Sequence, residues 1–307
     1  MRYLDPKADL TFKKVFGEHE DLVISLLNAL LPLRADEEVI EVEYLPAELV
    51  PDNPLRKNSI VDVRCVDAVG RQFIVEMQMV WSPEFLQRVL FNSAKAYVRQ
   101  LDKGFDYSLL KPVYSLNLVN DIFEPQLPEY YHYFKLVHEE HTEKVIDGLH
   151  LVFVELPKFT PHSMSEKKMQ VLWLRYLTEI KDGTEKIPQE LLDNAETGKA
   201  ISVLETSSYN DAQLASYDKF WDTISIEKTL YNSGERKGRE EGLMEGEAIG
   251  MEKGRAEGMA EGRAEEKRKI ASGMKQAGIP LETIAVITGL PLEEVKSISS
   301  PEIVNKN

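Results

Sequence analysis

Residues 59–79 have the sequence SIVDVRCVDAVGRQFIVEMQM, and this is the most informative region of the chain. Its two ends, residues 59–66 and 72–79, are rich in the β-branched and apolar residues that favour strands. Residues 68–70 between them, Ala-Val-Gly, fit a three-residue hairpin loop with glycine in the left-handed position. The sequence therefore predicts a β-hairpin.

The register of this hairpin brings acidic side chains together. If the residues that flank the loop pair with each other, Asp62 lies opposite Glu76 and Ile60 lies opposite Gln78. Strand alternation then puts Asp62, Glu76 and Gln78 on one face of the sheet. Carboxylates with Cβ atoms about 5 Å apart repel each other, and a hard cation such as Mg²⁺ relieves that repulsion. The alternative is a solvated outer face in which Arg64 neutralises one acid. The other face is predicted to be core, and it consists of Val61, Val63, Cys65, Val75, Met77 and Met79.

The composition is that of a globular protein with an acidic surface. The 307 residues are 43% hydrophobic and 29% charged, with a formal net charge of −15. This excludes a general basic surface that coats nucleic acid, although a local cleft could still bind it. The single cysteine excludes an internal disulfide framework and a cysteine-based zinc site. No apolar run approaches the ~18 residues of a membrane helix, so we expect a cytoplasmic protein without membrane contact.

The character of the sequence changes along the chain. We predict a core at residues 1–160, where strand and helix patterns alternate, and a helical support region at residues 161–232. A glycine- and glutamate-rich repeat helix is predicted at residues 233–268. A small helical module that resembles a helix-turn-helix follows at residues 269–307.

The repeat has two interpretations. Glycine recurs at every fourth position of an otherwise helix-favouring stretch, and each interior glycine destabilises a helix by about 1 kcal/mol. One interpretation is close helix packing through residues 234–266, in a homo-oligomer or against a partner helix. The other is a partly ordered spacer.

A helix that ends at Gly104 is predicted directly after the hairpin. Arg88, Lys95, Arg99 and Lys103 are spaced seven, four and four residues apart, which places them along one helical face. Such a face can contact the phosphates of DNA, and Arg88 is the nearest of the four to the hairpin. The alternative is an ordinary solvated charged face.

Four short segments carry a resemblance to a known family. They are DLTFKKVFG at 9–17, IVEMQ at 74–78, QLDKG at 100–104 and FVELPKF at 153–159. Together they resemble the Rpn family of recombination-promoting nucleases, within the PD-(D/E)xK superfamily. The resemblance implies an α/β fold with a PD-(D/E)xK-type mixed central sheet flanked by helices, followed by an all-helical C-terminal region.

The resemblance also implies a set of site residues. Asp62 and Glu76 would bind Mg²⁺, with Mn²⁺ as an alternative, and the Met77 backbone carbonyl would be a third ligand. Gln78 stands where the superfamily commonly has lysine, and its amide can orient a water molecule but cannot act as a base at pH 7. Asp9 would point toward the metal from the first helix, and its alternative role is to cap that helix.

The expected function is a metal-dependent DNA endonuclease that acts in DNA recombination or mobile-element processes. The alternative is a catalytically weak or inactive nuclease-fold protein that serves as a DNA-binding or assembly module. The acidic net charge and Gln78 favour the alternative, whereas the presence of Asp9, Asp62 and Glu76 favours the enzyme. Glu155 is expected to make a structural hydrogen bond.

Overall fold

The computed structural model describes residues 2–49, 59–102, 104–161 and 168–298. The chain divides into two compact units, Met1–Thr229 and Leu230–Asn307. The first unit contains a mixed sheet flanked by helices, and the helices continue toward the C-terminus in the second. This architecture confirms the predicted fold class.

The described strands form one large sheet and one small sheet. In chain order they are β1 (Val42–Tyr44), β2 (Glu48–Leu49), β3 (Ser59–Ile60), β4 (Val63–Asp67), β5 (Gln72–Gln78), β6 (Val113–Val119), β7 (Tyr131–His138) and β8 (His141–Glu155). The large sheet has the strand order β1-β4-β5-β6-β8-β7, and β2 pairs with β3. Strands β5, β6 and β8 are parallel, and the other pairs are antiparallel.

Helices cover both faces of the large sheet. They are α1 (Asp9–Gly17), α2 (Glu20–Leu30), α3 (Glu84–Val98), α4 (Lys168–Glu179), α5 (Gln189–Asp193), α6 (Ala195–Val203), α7 (Asp211–Gln276), α8 (Leu281–Thr288) and α9 (Leu292–Ser297). Short 3₁₀ helices lie at Ala35–Glu37, Tyr107–Leu109, Leu156–Lys158 and Thr206–Ser208.

The main core lies on the face of the sheet covered by α1, α2 and α4. Apolar residues recur along one side of α2, and the buried ones are Leu22, Val23, Leu26, Leu27, Ala29 and Leu30. Each fully buried leucine contributes about 1.5–3 kcal/mol. Helix α3 covers the opposite face, where Phe85 and Val89 pack against Val119 and Phe153. The sheet is therefore fixed from both sides, and β5 lies near its centre.

The hairpin between β4 and β5 has the predicted register. Val63 lies opposite Val75, and Val66 lies opposite Gln72. Gly70 has a φ of +89°, as the predicted loop requires. The hydrophobic pattern and the loop length together specify this pairing.

The prediction of one continuous strand over residues 59–66 is wrong, because this stretch is divided into two strands, β3 and β4. Ile60 pairs with Glu48 of β2 and so does not lie opposite Gln78. Val61 packs with Ile74 in the cluster under α3 instead of in the main core. The chain crosses from the small sheet to the large one at this point, so the regular alternation of side chains is interrupted.

Helix α3 is shorter than predicted, since it ends at Val98 and not at Gly104. The Gln100 side chain accepts a hydrogen bond from the Lys111 N–H at 2.8 Å and donates one to the Lys111 carbonyl at 2.9 Å. These bonds tie the end of the helix to the start of β6. Lys103 lies outside the described residues.

The glycine repeat lies within the long helix α7. Apart from the helix's own backbone, nothing lies within 4 Å of the position that a Cβ would take at the glycines of residues 234–262. Farther on, Ala271 of α7 packs with Ile284 of α8 and Val295 of α9 in a small core. Over the described stretches, no helix has the length and apolarity needed to cross a membrane.

Glu155 makes the structural hydrogen bonds expected of it. Its carboxylate is fully buried and accepts the N–H groups of Phe123 and Glu124 at 2.6 and 3.0 Å. The His132 Nε2 lies 2.9 Å away, and the Lys158 ammonium forms an ion pair with the same carboxylate. Glu155 therefore fixes the chain that follows β6.

Candidate functional site

Asp62 is held beside β5 by its own side chain. Its Oδ2 atom accepts the Met77 N–H at 2.7 Å, just before the chain enters β4. Burial raises the pKa of the Asp62 carboxyl, and the nearby charge of Asp9 raises it further. The Met77 hydrogen bond and the charge of Lys13 act in the opposite direction. The Asp62 side chain therefore lies close to Glu76, although Asp62 itself is not part of a strand.

Glu76 lies on β5 beneath α3 and is almost completely buried. Its Oε1 accepts a hydrogen bond from the Asn92 amide at 3.1 Å, and its Oε2 lies 3.7 Å from the Arg88 guanidinium. Burial is the main cause that raises the pKa of Glu76 to about 7, and Asp62 contributes in the same direction. The Asn92 hydrogen bond and the charge of Arg88 lower it. The carboxyl is therefore poised between its neutral and charged forms near neutral pH.

Gln78 connects the end of β5 to α3. Its Oε1 accepts a hydrogen bond from the Arg88 guanidinium at 2.6 Å, and its Nε2 donates to the Val80 carbonyl at 2.5 Å. The amide thereby holds Arg88 with its guanidinium directed toward Glu76. An amide oxygen has a second lone pair and an amide nitrogen a second hydrogen, so a water molecule could still bind Gln78.

Asp9 begins α1, and the structure excludes the alternative that it is the N-cap. Ala8 occupies the N-cap position, and Asp9 is the first helical residue. The Lys13 Nζ lies 2.5 Å from the Asp9 carboxylate and 3.8 Å from Asp62 Oδ1. Lys13 thus links the two acids, although the Asp9 side chain is half exposed.

Of the four basic residues predicted along one helical face, Arg88, Lys95 and Arg99 lie in the described part of the chain, and they do not all lie at the carboxylates. Arg88 contacts Glu76 and Gln78, as described above. Lys95 and Arg99 lie about 10 and 16 Å farther along the helix, at 1.5 Å per residue. Burial, and then the charge of Arg99, lower the pKa values of Arg64 and Lys95. Lys95 and Arg99 therefore belong to a second positive cluster, which includes Arg64.

Sequence reasoning missed two residues of the site, Lys13 and Asn92. Each lies four residues after a predicted site residue on the same helix, since Lys13 follows Asp9 and Asn92 follows Arg88. Side chains four residues apart are neighbours on a helix. That spacing was the available indication of their place in the site.

The donor atoms at this site fit a hard divalent cation. Asp62 and Glu76 are two largely buried carboxylates, and the nearest cationic atoms lie 3.8 and 3.7 Å away, beyond hydrogen-bond distance. The Met77 N–H points toward Asp62. In an extended strand, the carbonyl of the same residue points to the same side of the strand. Mg²⁺ commonly binds one or two carboxylates and retains several waters.

The number of protein ligands is small. Among the described residues, no group of three or more His, Cys, Asp or Glu side chains is arranged to hold a metal. A cation at this site would therefore take Asp62, Glu76 and the Met77 carbonyl from the protein, and its other ligands from water or substrate.

The comparison with known families covers this site. A profile of the PD-(D/E)XK nuclease family transposases matches residues 6–225, which is more than half of the chain. The matched stretch includes α1, the hairpin and α3. No curated protein and no solved structure gives a significant match to the chain.

The raised pKa of Glu76 predicts a pH-dependent stability of the metal-free protein. This pKa is about 7 in the folded chain, against an ordinary value of 4.5. At pH values between these two, the folded state therefore binds more protons than the unfolded state. The contribution of Glu76 to the free energy of unfolding is fully present below about pH 4.5 and is lost as the pH rises to about 7. Glu76→Gln should therefore be more stable than wild type at pH 8, by at most ~3 kcal/mol.

Thermal unfolding in EDTA from pH 5 to pH 8 measures this effect. The wild-type melting temperature should fall with increasing pH relative to that of Glu76→Gln. Glu185→Gln, which changes an exposed glutamate, should follow wild type. Parallel curves for wild type and Glu76→Gln would contradict a raised pKa at Glu76.

Proposed function

Since the chain belongs to the PD-(D/E)XK nuclease family transposases, we propose that it is a metal-dependent DNA endonuclease that hydrolyses phosphodiester bonds. Family membership supports a nuclease-like hydrolase that acts on nucleic acid, and nucleases of this kind generally use divalent metals. The observation that carries the finer proposal is that the Met77 N–H holds the Asp62 carboxylate close to the buried carboxyl of Glu76.

Mg²⁺ is the proposed cation, and Mn²⁺ would serve in its place. Asp62, Glu76 and the Met77 carbonyl would hold it. When bound, the cation would supply an activated water molecule and neutralise the charge that develops on the phosphate.

The chain's own positive charges complete the proposed site. Arg88 would contact the phosphate to be cleaved, because its guanidinium already lies near Glu76 and is oriented by Gln78. Lys13 would keep Asp9 and Asp62 in place from α1. Lys13 and Arg88 would thus provide, from two helices, the positive charge that a lysine at position 78 would otherwise supply.

The second positive cluster would extend the DNA-binding surface. Lys95 follows Arg88 along α3, Arg99 caps the end of that helix, and Arg64 lies close to Arg99. Phosphate contacts from these residues would position the DNA without reading its sequence. On a chain of net charge −15, such local clusters would carry most of the attraction for nucleic acid.

The setting of this activity is also part of the proposal. Cleavage would serve DNA recombination or mobile-element processes in the cytoplasm. Residues 1–160 would perform catalysis and residues 161–232 would support them. Residues 233–268 and 269–307 would mediate assembly. Strand joining is not part of the proposal, since no residue of the site calls for it.

Plasmid nicking tests the proposed activity. Wild type should nick supercoiled plasmid with Mg²⁺ or Mn²⁺, and Asp62→Asn and Glu76→Gln should each be at least ~100-fold slower, because each removes an electrostatic group that acts in the transition state. The measured quantity is the initial rate of open-circle formation on an agarose gel.

Glu185→Gln is the matched control, and it should retain the wild-type rate because Glu185 is exposed on a loop. Equal nicking by all four proteins would mean a contaminant or a different site. Absence of nicking in wild type, together with absence of metal binding, would favour the DNA-binding or assembly module over the enzyme.

The glycine repeat yields a separate prediction about assembly. Residues 234–266 lie on the exposed part of α7, and small residues permit close approach of two helices. If this segment joins copies of the chain, truncation after Tyr231 should lower the mass measured by light scattering to that of one shortened chain. If the full-length and the truncated proteins both have the mass of a monomer, the proposed assembly through the repeat is wrong.

A further inference from the structure

A cavity lies at the carboxyl edge of the parallel strands. It has a volume of about 450 Å³. Its lining includes the residue that directly follows each parallel strand, namely Met79 after β5, Asn120 after β6 and Leu156 after β8. In open α/β sheets, ligands commonly bind in the crevice outside the carboxyl ends of the strands.

Lysine side chains line the same cavity. Lys7 lies before α1, Lys181 follows α4, and Lys228 is on α7. The Lys181 and Lys228 side chains are exposed, and across the described part of the chain neither ammonium group has a hydrogen bond or an ion pair. Two positive charges therefore face the cavity without a counter-charge.

Asp5, which lines the cavity, and Asp182, which directly follows Lys181, are each paired with a cationic side chain. Asp5 forms a buried ion pair with Lys7 at 2.9 Å, and the Lys7 ammonium also donates to the Leu177 carbonyl at 3.0 Å. Asp182 pairs with Arg2 at 3.0 Å. These pairs leave the charges of the two exposed lysines uncancelled, on a protein that is otherwise strongly acidic.

The cavity adjoins the proposed cleavage site. The Asn120 N–H donates to the Gln78 carbonyl at 2.8 Å, and Met79 directly follows Gln78. Lys7 lies two residues before Asp9. A strand of nucleic acid that crosses this edge of the sheet would pass from the carboxylates to the lysines.

We propose that this cavity binds a phosphate group through Lys181, Lys228 and the side-chain amide of Asn120. The inference rests on the proposed function where the phosphate belongs to the nucleic acid that is cleaved. A free phosphate compound has the same chemistry, and the experiment below separates the two sources.

The first arm measures binding of a labelled single-stranded oligonucleotide by fluorescence anisotropy, with the full-length chain in EDTA and KCl from 50 to 200 mM. Each phosphate contact to a single strand contributes about 0.7 to the slope of log K against log salt. The variant Lys181→Gln/Lys228→Gln should therefore bind more weakly, and its slope should be smaller by about 1.4. The control variant Lys135→Gln/Lys144→Gln removes two exposed lysines from β7 and β8, and its slope should equal that of wild type.

The second arm measures thermal stabilisation by inorganic phosphate at constant ionic strength. Stabilisation of wild type and the control, but not of Lys181→Gln/Lys228→Gln, supports the cavity as a phosphate site. Together with an unchanged oligonucleotide slope, that result assigns the site to a free phosphate compound.

The two proposals can fail separately. If wild type binds the oligonucleotide and neither arm distinguishes Lys181→Gln/Lys228→Gln from the control, the phosphate site is wrong and the nuclease proposal stands. If wild type binds no oligonucleotide but phosphate stabilises it through the two lysines, the nuclease proposal fails and the phosphate site stands. Circular dichroism of both variants verifies that they are folded.

Discussion

The hydrogen bond from the Met77 N–H to the Asp62 carboxylate is the constraint on which the candidate site depends. It forms where the chain leaves the small sheet and has not yet entered β4, so the carboxylate takes the place of a backbone acceptor. The bond fixes Asp62 next to Glu76 while both side chains are largely buried. Loss of the carboxylate would leave a strand N–H without its partner, which costs about 1–3 kcal/mol when the group is buried.

Burial gives this pair of acids its chemical character. Burial raises the pKa values of both carboxyls, and the charge of Asp62 raises the pKa of Glu76 further. Lys13 from α1 and Arg88 from α3 approach the two acids, but at 3.8 and 3.7 Å neither forms a close ion pair with them. A divalent cation would compensate the two negative charges better than these side chains do, which is why we favour a metal-dependent reaction over a purely structural role.

The sequence predicted the parts of this arrangement that local patterns control. The β4–β5 register followed from strand composition and from the position of Gly70 in the loop. The break before Asp62 was not predictable, because it depends on the pairing of Ile60 with β2, a contact between segments distant along the chain. The early end of α3 likewise depends on hydrogen bonds between Gln100 and Lys111, two residues that are separated along the chain.

The charged members of the site were predicted only in part for the same reason. Arg88 was identified from helical spacing, but its contact with Gln78 depends on how α3 packs on the sheet. Lys13 and Asn92 had the correct spacing on their helices, yet helical spacing alone does not show which face of a helix meets the sheet. Periodicity identifies neighbours within an element, whereas the packing of elements decides which neighbours form the site.

Direct measurement of metal binding tests the central claim, that Asp62 and Glu76 form a divalent-cation site. Mn²⁺ can be titrated into metal-free protein while electron paramagnetic resonance reports the free ion, with wild type, Asp62→Asn and Glu185→Gln compared at pH 8. The account predicts that wild type and Glu185→Gln bind Mn²⁺ equally, and that Asp62→Asn binds it at least about tenfold more weakly, a loss of ~1.4 kcal/mol. Equal Mn²⁺ binding by all three proteins would contradict it.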